Sequence, residues 1–412
     1  MTTGRRQLPF WPLGWMLFGL PLWWALGAIQ LAPIALATVM AAFLLVHRRV
    51  RLPVPIALFF LFVCWVVPCA LMIDSSDRLI GYALRFAVLL VVAVVMLYVY
   101  NAPELVTTNR VIGALVSVWL CVLAGGYLAL VAPAGGFTTA VGSLLPARLA
   151  SNDYVHDLFV PTFAEIQHPW GSPTEFARPA APFPYTNSWG AAVVLLTPVV
   201  IAALFAVGRR QRILLLCALA AMTAPAAATS NRGMFVGLAA AAAYVCGRLV
   251  FRGRVGPAVA VLLAGGVGAG LLIAAGLPGQ VAERQEYGRS TDTRSALYAE
   301  TWQRSLDSPV FGYGAPRPSI SNGISAGTQG YLWMVMFSYG LIGLLLLVVF
   351  LLSALTSTWR APDPTSLCLH AVLISACVIV PYYGLDIMQW LTIGIVTAVL
   401  LRRSEVAGRR AR

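Results

Sequence analysis

Residues 283–314 read ERQEYGRSTDTRSALYAETWQRSLDSPVFGYG. This is the most charged stretch of a 412-residue chain that is 59% hydrophobic and only 10% charged. Thr291 and Asp292 predict a helix start, because a short side-chain oxygen there accepts an N–H of the first turn. Nothing breaks a helix over residues 293–306, and Ser308-Pro309 ends it. On a wheel of about 100° per residue, Glu300, Gln303, Arg304 and Asp307 share a solvated face. Leu297, Tyr298, Trp302 and Leu306 share the inward face, and Arg294 falls among them. An inward arginine needs a partner, since an isolated buried charge costs many kcal/mol. Either a protein carboxylate or an anionic ligand supplies it.

Outward from this stretch the sequence is a succession of apolar runs long enough to cross a bilayer core. Twelve candidates lie at 10–28, 31–46, 54–73, 79–99, 110–132, 187–207, 212–230, 233–251, 256–277, 327–355, 366–382 and 385–401. In lipid the backbone must satisfy its own hydrogen bonds, so these are helices. The runs are continuous rather than alternating, which argues against a β-barrel. The predicted fold is an all-α polytopic membrane protein of about 12 transmembrane helices, one integral unit over residues 1–412. A soluble domain is excluded. Two long external loops, 134–186 and 278–326, are expected to hold short helices, one of them over 154–166.

Orientation follows from arginine, since the chain has no lysine. The arginines at 5–6, 48–51, 110, 209–212, 248–254, 360 and 402–412 all fall on one side of the predicted spans. The positive-inside rule puts that side, and both termini, in the cytoplasm of a bacterial plasma membrane. The net charge of +13 is thus a topology signal facing anionic lipid, not a nucleic-acid footprint. All seven cysteines lie within spans, with neither metal-ligand nor disulfide spacing. Arginine in place of lysine, with abundant alanine, points to a GC-rich bacterial genome. Within the spans, Arg85 and Asp386 read equally as structural and as functional charges.

Four external pieces carry concentrated polar chemistry. Residues 178–187, RPAAPFPYTN, are stiffened by prolines and hold Arg178, Tyr185 and Asn187 near the bilayer surface. Ser230-Asn231-Arg232-Gly233 is a tight turn with an arginine on the side that arginines avoid. The third piece is the Arg294 helix with Trp302. The fourth is Gly327-Thr328-Gln329-Gly330-Tyr331, where the second long loop re-enters. A purely structural reading pairs Arg232 and Arg294 with Asp292 or Glu300. A functional one gives both to a diphosphate, whose oxygens the guanidinium fork fits.

At these motifs the chain resembles the O-antigen ligase and O-antigen polymerase superfamily. The resemblance covers roughly residues 180–345. It rests on the proline-rich loop ending in Asn187, the turn at 230–233 and Arg294 spaced from Trp302. It continues through Ser308-Pro-Val-Phe-Gly-Tyr-Gly314 and Gly340-Leu-Ile-Gly343. It implies a membrane glycosyltransferase that takes a polyprenyl-diphosphate-linked glycan and passes it to a glycan, lipid or protein acceptor. Arg232 and Arg294 would carry catalysis with Gln329, and Arg178, Tyr185, Asn187, Asn231, Trp302, Thr328 and Tyr331 would bind substrate. No metal and no cofactor are implied. The family usually carries histidine where this chain has Thr328-Gln329, and glutamine orients a hydroxyl without taking its proton. External candidates for the base are His168, His156, Asp153, Glu165 and Glu175. Two other readings remain: a flippase for lipid-linked saccharides, and a relative that only binds them.

Overall fold

The computed structural model describes residues 7–47, 49–146, 153–168, 175–274, 290–320 and 325–410, with isolated positions 276, 279 and 282. Its helices are α1 (Trp11–Phe18), α2 (Leu20–Leu26), α3 (Leu31–Val46), α4 (Val54–Cys69), α5 (Ser76–Asn101) and α6 (Thr108–Val131). The first long loop contains α7 (Asp153–Phe159) and the strands β1 (Ala164–Gln167) and β2 (Phe176–Pro179). Then come α8 (Thr186–Ala203), α9 (Arg209–Ala221), α10 (Thr223–Thr229), α11 (Arg232–Phe251) and α12 (Val255–Ala274). The second long loop holds α13 (Ser290–Asp307), β3 (Arg317–Pro318) and β4 (Ser325–Ala326). The chain closes with α14 (Tyr331–Ser357), α15 (Pro364–Ile379) and α16 (Ile387–Arg410).

Among the described residues, eight helical segments are long and apolar enough to cross a membrane, and α3 and α15 are shorter apolar helices. The twelve-span expectation therefore stands only in its coarser form. The first expected span is two short helices joined at Gly19, and the span over 212–230 is divided between α9 and α10. The loops are not purely helical either. β1 and β2 pair antiparallel with Glu165 opposite Arg178, and β3 and β4 pair antiparallel with Arg317 opposite Ala326. The predicted helix over 154–166 ends at Phe159, and Ala164–Gln167 is strand. After β2, residues 181–185 turn and bend rather than run extended, with the Phe183 N–H donating to Ala180 O at 2.8 Å.

α8 is the centre of the bundle, with 83% of its residues buried, packed by α6, α15, α11 and α16. α14 packs on α4, and α16 on α5. α12 lies at the edge, with 6% of its most apolar stretch buried. Helix starts are set locally. Pro364 begins α15 while Asp363 accepts the Ser366 N–H at 3.0 Å, and Thr107 accepts the Arg110 N–H ahead of α6.

The two ends of the bundle differ in chemistry. One end gathers arginines onto backbone carbonyls and carboxylates. Arg248 donates to the carbonyl of Trp359, Arg402 to that of Val106, and Arg403 pairs with Asp363 at 2.8 Å. The other end carries both long loops. There α14 is interrupted at Gly340, with φ 72° and ψ −176°. A Cβ at this position would lie 2.1 Å from the Val310 carbonyl oxygen, so only glycine admits the approaching chain. Residues 308–314 fill the break. The Leu341 N–H donates to Pro309 O at 2.7 Å, Tyr313 N–H to Phe337 O at 2.9 Å, and Gly314 N–H to Ser338 O at 2.8 Å. Phe311 stacks on Trp65 of α4, whose indole N–H donates to Tyr339 O at 2.9 Å. The loop that follows the Arg294 helix is thus hydrogen-bonded into the bundle.

Candidate functional site

The site is built where four loop-end segments meet: β2, the turn between α10 and α11, the start of α14, and the turn between α15 and α16. Arg178 lies on β2 and is only 4% exposed. Its Nε donates to the Thr229 carbonyl at 2.7 Å, and its Nη1 lies 3.9 Å from Glu165 Oε1. The proline-rich segment therefore does not hold Arg178 out at a surface. It threads the guanidinium inward against the end of α10.

Thr229 ends α10, and Ser230 turns the chain in a left-handed conformation, φ 47°. Asn231 then precedes α11. Its Oδ1 accepts from the Tyr383 hydroxyl, and its Nδ2 donates to Asn187 Oδ1 at 3.5 Å. Gly190, one turn into α8, permits this approach, since a Cβ there would sit 2.5 Å from Asn231 Nδ2. The Asn231 side chain makes no cap hydrogen bond to α11. The first-turn N–H groups of α11 therefore add a positive end to Arg232, its first residue, which is exposed. Arg232 makes no hydrogen bond or ion pair among the described residues.

Arg294 is also exposed, at the start of α13, and likewise makes no hydrogen bond or ion pair among the described residues. It lies above the buried stripe of Leu297, Thr301 and Ser305. One turn on, the Tyr298 hydroxyl donates to the Gln329 carbonyl at 3.0 Å, and its ring stacks on Trp333 at 4.6 Å. Burial raises the Tyr298 phenol above its ordinary pKa, opposed by the charge of Arg294. Burial likewise raises the Tyr383 phenol, and here both Arg178 and Arg294 pull the other way. Tyr383 thus lies within the electrostatic reach of both arginines and is hydrogen-bonded to the Asn231 turn.

The wheel misassigned one face of α13. Trp302 and Leu306 are 49% and 50% exposed. Arg304, expected in solvent, turns inward instead. It pairs with Glu300 at 2.9 Å, donates to Pro318 O at 3.0 Å, and lies 5.2 Å over the Phe337 ring. The reason is the β3–β4 hairpin, which covers that side of the helix and supplies polar partners. Burial alone would raise the Glu300 carboxyl, but hydrogen bonds from Ser319, the Ile320 N–H and Arg304 hold it below the usual carboxylate range. Glu300 is thus committed to Arg304, not to Arg294. The side chains of Thr291, Asp292 and Asp153 lie outside the described residues.

Tyr331 is buried at the start of α14. Its N–H donates to Tyr383 O at 2.8 Å, and its ring meets Trp390 edge-on. Gln329 is half-buried and Thr328 exposed, with Gln329 Nε2 3.5 Å from Thr328 Oγ1. Tyr185 is exposed and donates to Asp157 Oδ2 at 2.9 Å. The structure therefore groups Arg178, Asn187, Asn231, Arg232, Arg294, Gln329 and Tyr331 around Tyr383. It leaves Trp302 outside that group. Tyr383 and Tyr298 were missed as site residues. The first had a signal in Pro381-Tyr-Tyr-Gly384, a polar turn between two spans. Among the described residues, no group of three His, Cys, Asp or Glu side chains is placed to hold a metal ion.

Glu165 accepts the Thr186 N–H at 3.3 Å, while His168 stands 3.6 Å from Glu175 in an exposed position. Compared with known proteins, the chain matches no family model and no curated sequence.

Proposed function

We propose that this protein is a glycosyltransferase of the plasma membrane. It takes a glycan from a polyprenyl-diphosphate donor and passes it to an acceptor hydroxyl on the extracytoplasmic face. The loop end of the bundle is that outer face, and the arginine-rich end, with both termini, is cytoplasmic. The observation that carries the reading is the pair Arg232 and Arg294. Both are exposed and free of ion pairs among the described residues, and the buried Arg178 is hydrogen-bonded to the turn that Arg232 follows.

Three guanidiniums and the N-terminus of α11 suit a diphosphate, whose negative charge grows as the glycosidic bond breaks. Stabilising developing charge is often the largest single contribution to catalysis. Direct displacement at the anomeric carbon inverts its configuration. Tyr298 fixes the Gln329 backbone, so the amide is held to orient the acceptor hydroxyl. Asn231 and Tyr383 position Arg232 and brace the cluster.

A deletion strain tests this reading. It predicts lipid-linked glycan accumulating on the outer face of the membrane, with polysaccharide attachment or chain length changed. Accumulation on the cytoplasmic face would point to a flippase and contradict the proposal.

A further inference from the structure

Beside the arginine cluster lies a cleft of about 470 Å³, lined by Asp157, Thr162, Glu165, Ile166, Pro184 and Tyr185 among others. Its size falls in the range of small-molecule sites. We propose that this cleft is the acceptor subsite, that it takes a saccharide hydroxyl, and that Glu165 is the base that removes the hydroxyl proton. The proposal rests on the transferase reading and deepens it.

Glu165 belongs to both places. It lines the cleft, and its Oε1 lies 3.9 Å from Nη1 of Arg178. Arg178 in turn reaches the α10–α11 turn through the Thr229 carbonyl. The cleft and the arginine cluster therefore share a wall, and the carboxylate stands on it. Strand pairing fixes this placement, since Glu165 and Arg178 are directly opposed across β1 and β2. The Thr186 N–H holds Oε2 at 3.3 Å and the Gln167 side-chain amide donates to Oε1, which fixes the plane of the carboxyl group.

The rest of the lining fits a saccharide. Ionised carboxylates only accept hydrogen bonds, so Asp157 and Glu165 match a ligand rich in hydroxyl donors. Pro184 and the Tyr185 ring give an apolar surface for the carbon face of a sugar. The Tyr185 hydroxyl donates to Asp157 at 2.9 Å and holds that carboxylate in place. Gln329 cannot take a proton at neutral pH, so the base comes from another segment.

The step balances as follows. The acceptor oxygen bonds to the anomeric carbon of the donor sugar while its proton passes to Glu165. The bond from that carbon to the diphosphate oxygen breaks, and its electron pair leaves with the diphosphate. The products are the glycosylated acceptor and polyprenyl diphosphate, and Glu165 then loses its proton to water.

The test uses the full chain in lipid nanodiscs, with lipid-linked glycans extracted from the native membrane as substrates. Farnesyl diphosphate serves as a separate probe of the arginine cluster. Glu165→Gln should lower transfer by about 10²–10⁴-fold, while farnesyl diphosphate binds within about threefold of wild type. Glu165→Asp keeps a carboxylate and should recover part of the rate. Asp157→Asn should raise the acceptor KM more than it lowers kcat. Glu165→Gln transferring at the wild-type rate, with Arg294→Ala still about 10²–10³-fold slower, would overturn the base assignment and leave the transferase reading standing. Wild type that neither binds farnesyl diphosphate nor transfers glycan would remove both.

Discussion

The Tyr383 hydroxyl donates to Oδ1 of Asn231, joining the α15–α16 turn to the residue that precedes α11. The bond crosses 152 residues of sequence. The Asn231 side chain makes no cap hydrogen bond to α11, and the Tyr383 hydroxyl also accepts from the Met234 N–H in the first turn of that helix. Tyr383→Phe leaves a buried carbonyl oxygen without its donor, at a cost of about 1–3 kcal/mol. We expect a lower Tm and slower transfer from this variant. Burial raises the Tyr383 phenol. The bond's contribution is therefore fully present below the unfolded tyrosine pKa of about 10, and it is lost only as pH rises through the higher folded value. Transfer measured up to pH 9 should show no alkaline loss that Tyr383→Phe removes.

Arg294 and Arg304 sit on one helix and should fail in different ways. Arg304 holds α13 to the β3–β4 hairpin through Glu300 and Pro318 O. Arg304→Ala should cost about 1–3 kcal/mol of stability, because it strips charged hydrogen bonds from a half-buried site. Arg294→Ala should leave the Tm unchanged and lower transfer by about 10²–10³-fold. Arg294→Lys keeps the charge but loses the planar fork, so it should still transfer slowly. Thermal unfolding and transfer on the same preparations separate the two.

Glu300 sets an acid limit on that contact. Its carboxyl is held below the usual range, so its contribution is present above the unfolded value of about 4.3 and is lost as pH falls through the folded one. The Tm of wild type should fall with acidification below about pH 4.3. Glu300→Gln should start lower and fall less steeply. A wild-type curve matching the variant's would show that the carboxylate contributes nothing.

Orientation is testable in intact cells. In a cysteine-free background, cysteines placed at Thr138 and Ser172 should react with an impermeant thiol reagent added outside. Cysteines at Gly208 and Ala361 should not. Labelling at Gly208 would reverse the orientation and move the arginine cluster to the cytoplasmic side.

Much of the bundle was legible because apolar runs of bilayer length have few alternatives to helix. The end of α13 before Ser308 followed from local chemistry alone, and the break between α10 and α11 at Ser230 falls within the expected turn at 230–233. The failures came where distant segments intervene. Arg304 looked solvated on a wheel, but a wheel cannot show the hairpin that covers it. Glu165 stood among five undistinguished loop residues until strand pairing set it opposite Arg178. Tyr383 was hidden in a turn whose importance depends on Asn231, far along the chain. Gly340 was seen as part of a motif, yet its purpose is the break that receives residues 308–314.

The central claim is that Arg232 and Arg294 act on a diphosphate leaving group. It is tested most directly by transfer from purified lipid-linked donor, with release of polyprenyl diphosphate measured alongside. Wild type should release one diphosphate per glycan transferred. Arg232→Ala and Arg294→Ala should each slow release by about 10²–10³-fold while remaining folded. Gln329→Ala, which loses only an orienting amide, should slow it by about tenfold. Folded Arg232→Ala and Arg294→Ala proteins that release diphosphate at the wild-type rate would contradict the account.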